Sequence, residues 1–123
     1  NIKIIILATP GQLLNKKNFI SKFDFDFVEC SYPTFSINDV AALIQQLDFI
    51  ITPDTSIVHI ASSFDIPIVS IHENNKDSYR LWSPTSTLSK TIFAKSSYGI
   101  SNFSVSDVIK SSSEILKIIE LKK

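Results

Sequence analysis

Apolar residues come in short, dense blocks separated by polar, helix-spaced stretches. Ile2-Lys3-Ile4-Ile5-Ile6-Leu7-Ala8 is rich in β-branched residues and too continuous for a one-sided strand, so it predicts a strand buried on both faces. Thr9-Pro10-Gly11 breaks it, and a polar helix over about Gln12 to Lys22 follows. Phe25 to Cys30 alternates and reads as a shorter second strand. After the loop Tyr32-Pro33-Thr34-Phe35, Ser36 is a suitable N-cap for a helix through Ile37, Val40, Ala41, Ile44 and Leu47, with Asn38 and Asp39 at the positive end of its dipole.

The alternation continues with Phe49-Ile50-Ile51 as a strand, Thr55 to Phe64 as a helix and Ile66 to Ile71 as a strand. From His72 to about Thr91 the chain reads as polar and irregular, with one helical turn near Asp77 to Leu81. Thr91 to Ala94 is a further strand, and Val105 to Leu121 has helical spacing. Strands alternating with helices through short loops predict an α/β domain over residues 1–123, a Rossmann-like parallel sheet with helices on both faces.

Composition narrows the function classes. Of 123 residues 44% are hydrophobic and 20% charged, enough for one domain with a core. Twelve basic residues balance twelve acidic ones, which argues against a nucleic-acid partner. The single Cys30 forms no internal disulfide, which favours a reducing, cytoplasmic setting, and no apolar run is long enough for a transmembrane segment. With only Gly11 and Gly99, neither the dinucleotide Gly-x-Gly-x-x-Gly fingerprint nor a Walker loop can be present. The opening Asn1, with a strand beginning at once, suggests a piece of a longer protein.

In an open parallel sheet ligands bind beyond the carboxyl ends of the strands. Four loops belong there, carrying Thr9 to Gly11, Tyr32 to Phe35, Thr52 to Ser56 and His72 to Asn75, and a single sheet would bring them to one edge. In the helix after the third loop, Ile57, Ile60, Ala61 and Phe64 form the expected buried stripe. Thr55, His59 and Ser63 stand four apart on another face, with Ser56 three before His59. Free N–H groups of Thr55, Ser56 and Ile57 would face an anion at the helix start, with His59 and Thr55 as side-chain donors. A plainer role is open to the same residues: Asp54 or Thr55 as an N-cap and His59 as a partly buried histidine. Likewise Pro10-Gly11 can be a turn, Phe35 a hydrophobic staple, Glu73 a solvated acid, Trp82 a packing anchor and Cys30 an inert thiol. No Ser, Cys or His set has nucleophile or metal-ligand spacing, so the residues themselves point to binding rather than catalysis.

The stretch Leu47 to Ala61, with Thr52-Pro53-Asp54-Thr55-Ser56-Ile57-Val58-His59 at its centre and the proline-opened strand Ile66 to Ile71 after it, resembles the C-terminal domain of the lipopolysaccharide heptosyltransferases, glycosyltransferase family 9. Pro33 to Ile44 resembles the loop and helix before that motif. The resemblance implies the C-terminal half of a two-domain GT-B glycosyltransferase that is inverting and needs no metal or other cofactor. On that resemblance it would bind a nucleotide-diphosphate sugar, of which ADP-heptose is one candidate, and act in the cytoplasm, at the inner face of the membrane, on a glycolipid or glycan acceptor. In such enzymes the acceptor site and the catalytic aspartate belong to the N-terminal domain, so the resemblance implies that they lie outside this chain. By position, Asp54, Thr55, Ser56 and His59 would meet the donor's phosphates and sugar, Phe35 the base, and Thr9, Gly11 and Gln12 the ribose side. Ser56 stands where the family usually has glycine, and His72-Glu73-Asn74-Asn75 replaces the usual Gly-Pro-Thr-Asp-Pro loop. Those two departures motivate a competing reading, a catalytically inactive Rossmann-like interaction module.

Overall fold

A computed structural model describes residues 1–123. The element order is β1 (Ile4–Ile6), a 3₁₀ turn at Pro10–Gln12, α1 (Leu13–Ile20), β2 (Val28–Cys30), α2 (Ile37–Ile44), β3 (Ile50–Pro53), α3 (Ser56–Ser63), β4 (Ile68–His72), α4 (Lys76–Trp82), β5 (Ser89–Phe93) and α5 (Val105–Lys122). The α/β alternation is as the apolar blocks predict, and every strand pair is parallel. The strands fall into two sheets rather than one: β1 pairs β2, and β3, β4 and β5 form the other in that order. Two compact units correspond to them, Asn1–Val40 and Ala41–Lys123.

In the first unit, Ile4 pairs with Val28 and Ile6 with Cys30. The second strand is shorter than its alternation suggests because Phe25 and Phe27 join an aromatic ladder, Phe19-Phe23-Phe25-Phe27, with successive ring centroids 5.2, 5.7 and 5.3 Å apart. Pro10-Gly11 opens a 3₁₀ turn that leads into α1, with Pro at the position where a missing N–H costs least. At the start of α2 the capping is reciprocal: Ser36 Oγ accepts from the Asp39 N–H at 3.2 Å, while Asp39 Oδ2 accepts from the N–H groups of Ser36 and Phe35 at 3.1 and 2.9 Å.

In the second unit β4 is central and buried along its whole length. Side chains alternate across a strand, and the register makes the two faces differ. Val69, Ile71 and Ile92 pack with Ile115 of α5 on one face. The other face carries Ile50 and Ile68, then a polar row, Thr52-Ser70-Thr91, in register across all three strands. α4 covers this second face through Tyr79, and α3 neighbours α4 through His59 and Trp82, so helices lie on both faces of this sheet. Pro53, which has no N–H to give a ladder, sits on the outer strand β3. The irregular stretch after β4 is more ordered than its polarity suggests: Asn75 Oδ1 caps α4 by accepting from Asp77 and Ser78 N–H at 3.1 Å each.

Candidate functional site

β3 ends at Pro53, the Asp54 N–H continues the ladder by donating to the Ile71 carbonyl at 2.9 Å, and the chain then turns directly into α3. That one bond fixes where the helix starts relative to the sheet. Thr55 is extended, with φ −144° and ψ 177°, and is the N-cap. Its Oγ1 accepts from the Ile57 N–H at 3.3 Å, and its carbonyl accepts from Val58 at 3.0 Å. Of the three N–H groups expected to face an anion, Ile57's is therefore taken by the cap. Those of Thr55 and Ser56 have no partner within the protein. They form a small donor pair at the positive end of α3, with the exposed Ser56 hydroxyl beside them.

The buried stripe of α3 is rotated from the expected one. Val58 and Ala61 are fully buried, whereas Phe64 is exposed. The helix ends at Ser63, so Phe64 sits in the C-cap rather than on the packed face, and Asp65 takes a positive φ of 54°. His59 stays on the exposed side, as the four-residue spacing with Thr55 requires. It is not a buried, backbone-bonded histidine. Its ring meets Trp82 edge to face, with centroids 5.7 Å apart at 66°.

Asp54 is turned the other way. Its Oδ2 lies 3.5 Å from His72 Nδ1, with the carboxylate 24% exposed and the imidazole 2%. His72 Nε2 is 3.1 Å from Ser70 Oγ, Ser70 Oγ is 3.3 Å from Thr91 Oγ1, and Thr91 Oγ1 is 2.9 Å from the Tyr79 hydroxyl. Burial pushes the His72 pKa down; the Asp54 carboxylate opposes that shift and His59 adds to it. Sequence reasoning missed this chain of groups. The available signal was Ser70 and His72 at a two-residue spacing inside an otherwise apolar strand, which puts two polar groups on one buried face.

Thr9, Gly11 and Phe35 belong to the first unit. Thr9 and Gly11 follow β1 and are exposed, and a Cβ added at Gly11 would meet nothing within 4 Å. Phe35 lies on the loop after β2 with its side chain 80% exposed, so it is no staple for α2. Cys30 is half-buried, and no three His, Cys, Asp or Glu side chains are grouped as metal ligands. A separate hollow of about 330 Å³ runs beside β5 and α5, lined by the Lys90–Glu114 ion pair and Asp107 among others; no residue of the β3–α3 junction borders it.

Residues 22–103, more than half of the chain and including the whole β3–α3 junction, match the family model for glycosyltransferase family 9 (heptosyltransferase). The chain belongs to glycosyltransferase family 9. Among solved structures it is similar to the Escherichia coli ADP-heptose lipopolysaccharide heptosyltransferase II, with a TM-score of 0.69 at 13% identity over 96% of this chain. At that identity the likeness establishes the shared fold. This chain spans 37% of the length of that enzyme. A response regulator receiver protein from Sinorhizobium medicae WSM419 is similar at a TM-score of 0.48, 14% identity, 95% of this chain and 97% of that one. No curated protein matches the sequence. The α/β fold of parallel strands and helices expected for this family 9 chain is the one found, shared with that heptosyltransferase and divided between two sheets. No helix is long and apolar enough to cross a membrane.

Proposed function

We propose that this chain is the donor-binding part of an inverting family 9 glycosyltransferase, and that it holds the diphosphate of a nucleotide-diphosphate sugar at the start of α3. The carrying observation is the pair of unpartnered N–H groups at Thr55 and Ser56, at a helix start whose first turn also presents His59. Two aligned backbone donors, a helix dipole and an imidazole suit a diphosphate that leaves with increasing negative charge. Each well-placed donor of this kind contributes a few kcal/mol to a departing anion.

An ionised carboxylate only accepts hydrogen bonds, so Asp54 suits a sugar or ribose hydroxyl better than a phosphate. Ser56 substitutes its hydroxyl for the close approach that a glycine would permit. Phe35, Thr9 and Gly11 are exposed in the first unit, and only the family resemblance assigns them to the base and the ribose side. ADP-heptose is the first donor to try, because the similar E. coli enzyme is named for it. The acceptor, a glycolipid or glycan, and the catalytic acid or base are assigned to a preceding domain, and the reaction to the cytoplasmic face of a membrane. On this reading residues 1–123 form a single donor domain that binds without turning over.

Calorimetric titration of ADP, UDP and GDP, and of ADP-heptose, into the wild type and His59→Ala is the test. One nucleoside diphosphate should bind the wild type and bind His59→Ala about tenfold more weakly. Equal, negligible binding by both proteins would reject the donor site and favour an interaction module.

A further inference from the structure

We propose that His72 is a positioning residue for the α3 anion site, acting through Asp54, and that Ser70, Thr91 and Tyr79 fix the imidazole for that task. The inference rests on the donor-site reading above and adds to it residues that make no contact with the ligand.

The polarity of the chain of groups follows from what each can do. The Asp54 carboxylate accepts only, so His72 carries its proton on Nδ1, facing Oδ2 at 3.5 Å. Nε2 is then an acceptor and takes the Ser70 hydroxyl proton at 3.1 Å. Ser70 Oγ, having donated, accepts from Thr91 at 3.3 Å, and Thr91 accepts from Tyr79 at 2.9 Å. Every hydroxyl points the same way, from Tyr79 on α4 across β5 and β4 to the loop that opens α3. Such an ordered run sets the histidine tautomer, and its bonds polarise one another in the low-dielectric interior.

The mechanical consequence lies at Asp54. Its N–H is tied to Ile71, and its carboxylate faces His72, one residue further along β4. Backbone and side chain of Asp54 are thus referred to the same buried strand, immediately before the two unpartnered N–H groups. At 3.5 Å the approach to His72 is electrostatic rather than a short hydrogen bond. It turns Oδ2 inward and leaves the other carboxylate oxygen for a ligand hydroxyl. The titratable groups facing His72 are Asp54 from the β3–α3 loop, His59 from α3 and Tyr79 from α4. Of these, Asp54 favours and His59 opposes a proton on the His72 imidazole.

Two substitutions separate positioning from mere filling. In His72→Asn the side-chain amide can stand near the Nδ1 position and still donate to Asp54. In His72→Gln the amide reaches the Nε2 position and keeps Ser70 but not Asp54. Binding of the nucleoside diphosphate that the wild type takes should be within about twofold of wild type in His72→Asn and about tenfold weaker in His72→Gln. Amide ¹⁵N order parameters of Asp54 to Ile57 in the ligand-free protein should fall in His72→Gln and hold in His72→Asn. Ser70→Ala leaves the ring in place but frees its tautomer; it should weaken binding about threefold and loosen the same amides, and it serves if either His72 variant fails to fold. Equal binding and equal order in His72→Asn, His72→Gln and Ser70→Ala would overturn the positioning role while leaving the donor site standing. A wild type that binds no nucleoside diphosphate would overturn both.

Discussion

His59 and Trp82 meet edge to face, 5.7 Å between ring centroids, although they come from successive helices and both are exposed. An exposed histidine on a helix has several rotamers, and an indole beside it removes some of them. Trp82 therefore acts on the proposed anion site by limiting where the His59 imidazole can point. An aromatic pair of this kind contributes about 0.5–1.5 kcal/mol beyond its buried area. Trp82→Ala should weaken nucleoside diphosphate binding by roughly twofold to tenfold. In a His59→Ala background the same substitution should have no further effect. Calorimetric titration of the two single variants and the double variant checks this, and additive losses would assign Trp82 an independent contact.

Thr55 is the N-cap of α3, and a pair of substitutions separates that role from any part in ligand binding. As the N-cap of α3 its Oγ1 accepts from Ile57 at 3.3 Å, so Thr55→Ala should lower unfolding free energy by about 1 kcal/mol, and Thr55→Ser should restore most of it. Urea unfolding followed by circular dichroism measures both. Removing the cap also releases the Ile57 N–H, which gives an anion a third backbone donor. Thr55→Ala should therefore lose stability without a proportional loss of diphosphate affinity. A tenfold or greater loss of affinity would instead make the hydroxyl a ligand contact in its own right.

The alternation of apolar blocks and helical spacing was enough for the α/β class, the parallel pairing and the place of α3, because buried strands and amphipathic helices leave period-specific marks. Three features left weaker marks. The division into two sheets depends on which strands pair, and Ile4–Ile6 and Ile50–Pro53 carry no residue pattern that names a partner. The stripe of α3 was misread by one position: Val58 is fully buried and Phe64 exposed, because the helix stops at Ser63 and the positive φ at Asp65 turns the chain. Within the site, the spacing that paired Thr55, Ser56 and His59 was legible, being a property of one helix. The Tyr79–Thr91–Ser70–His72 chain was not, since it joins residues from β4, α4 and β5 that only tertiary packing brings together.

The buried position of His72 gives stability a definite dependence on pH. The folded protein holds the imidazole neutral below its ordinary value of 6.5, chiefly by burial, whereas the unfolded chain takes up a proton near that value. Below 6.5 the unfolded state thus binds more protons, and stability falls as pH falls until the folded imidazole protonates as well. Urea midpoints should drop between pH 7.5 and pH 5.5 in the wild type, and drop less in His72→Asn. Equal drops in the two proteins would remove His72 as the source.

The loop after β2 offers a test in which ligand binding and stability should come apart. Asp39 Oδ2 accepts from both Phe35 and Ser36 N–H, at 2.9 and 3.1 Å, so the carboxylate fixes the backbone that carries the exposed Phe35 ring. Asp39→Ala removes both acceptors and the favourable charge at the start of α2, and should cost about 1–2 kcal/mol. Phe35→Ala removes a ring that is already 80% exposed, and should change unfolding free energy by less than about 0.5 kcal/mol. If that ring receives the donor's base, Phe35→Ala should weaken nucleotide binding by about tenfold, because stacking of a base on an aromatic side chain is worth about 1–3 kcal/mol. Phe35→Tyr should restore it, since the π-face is kept. Inorganic pyrophosphate, which has no base, should bind wild type and Phe35→Ala alike. A nucleotide affinity unchanged by Phe35→Ala would move the base contact away from Phe35 and leave the diphosphate site at α3 to be judged on its own variants.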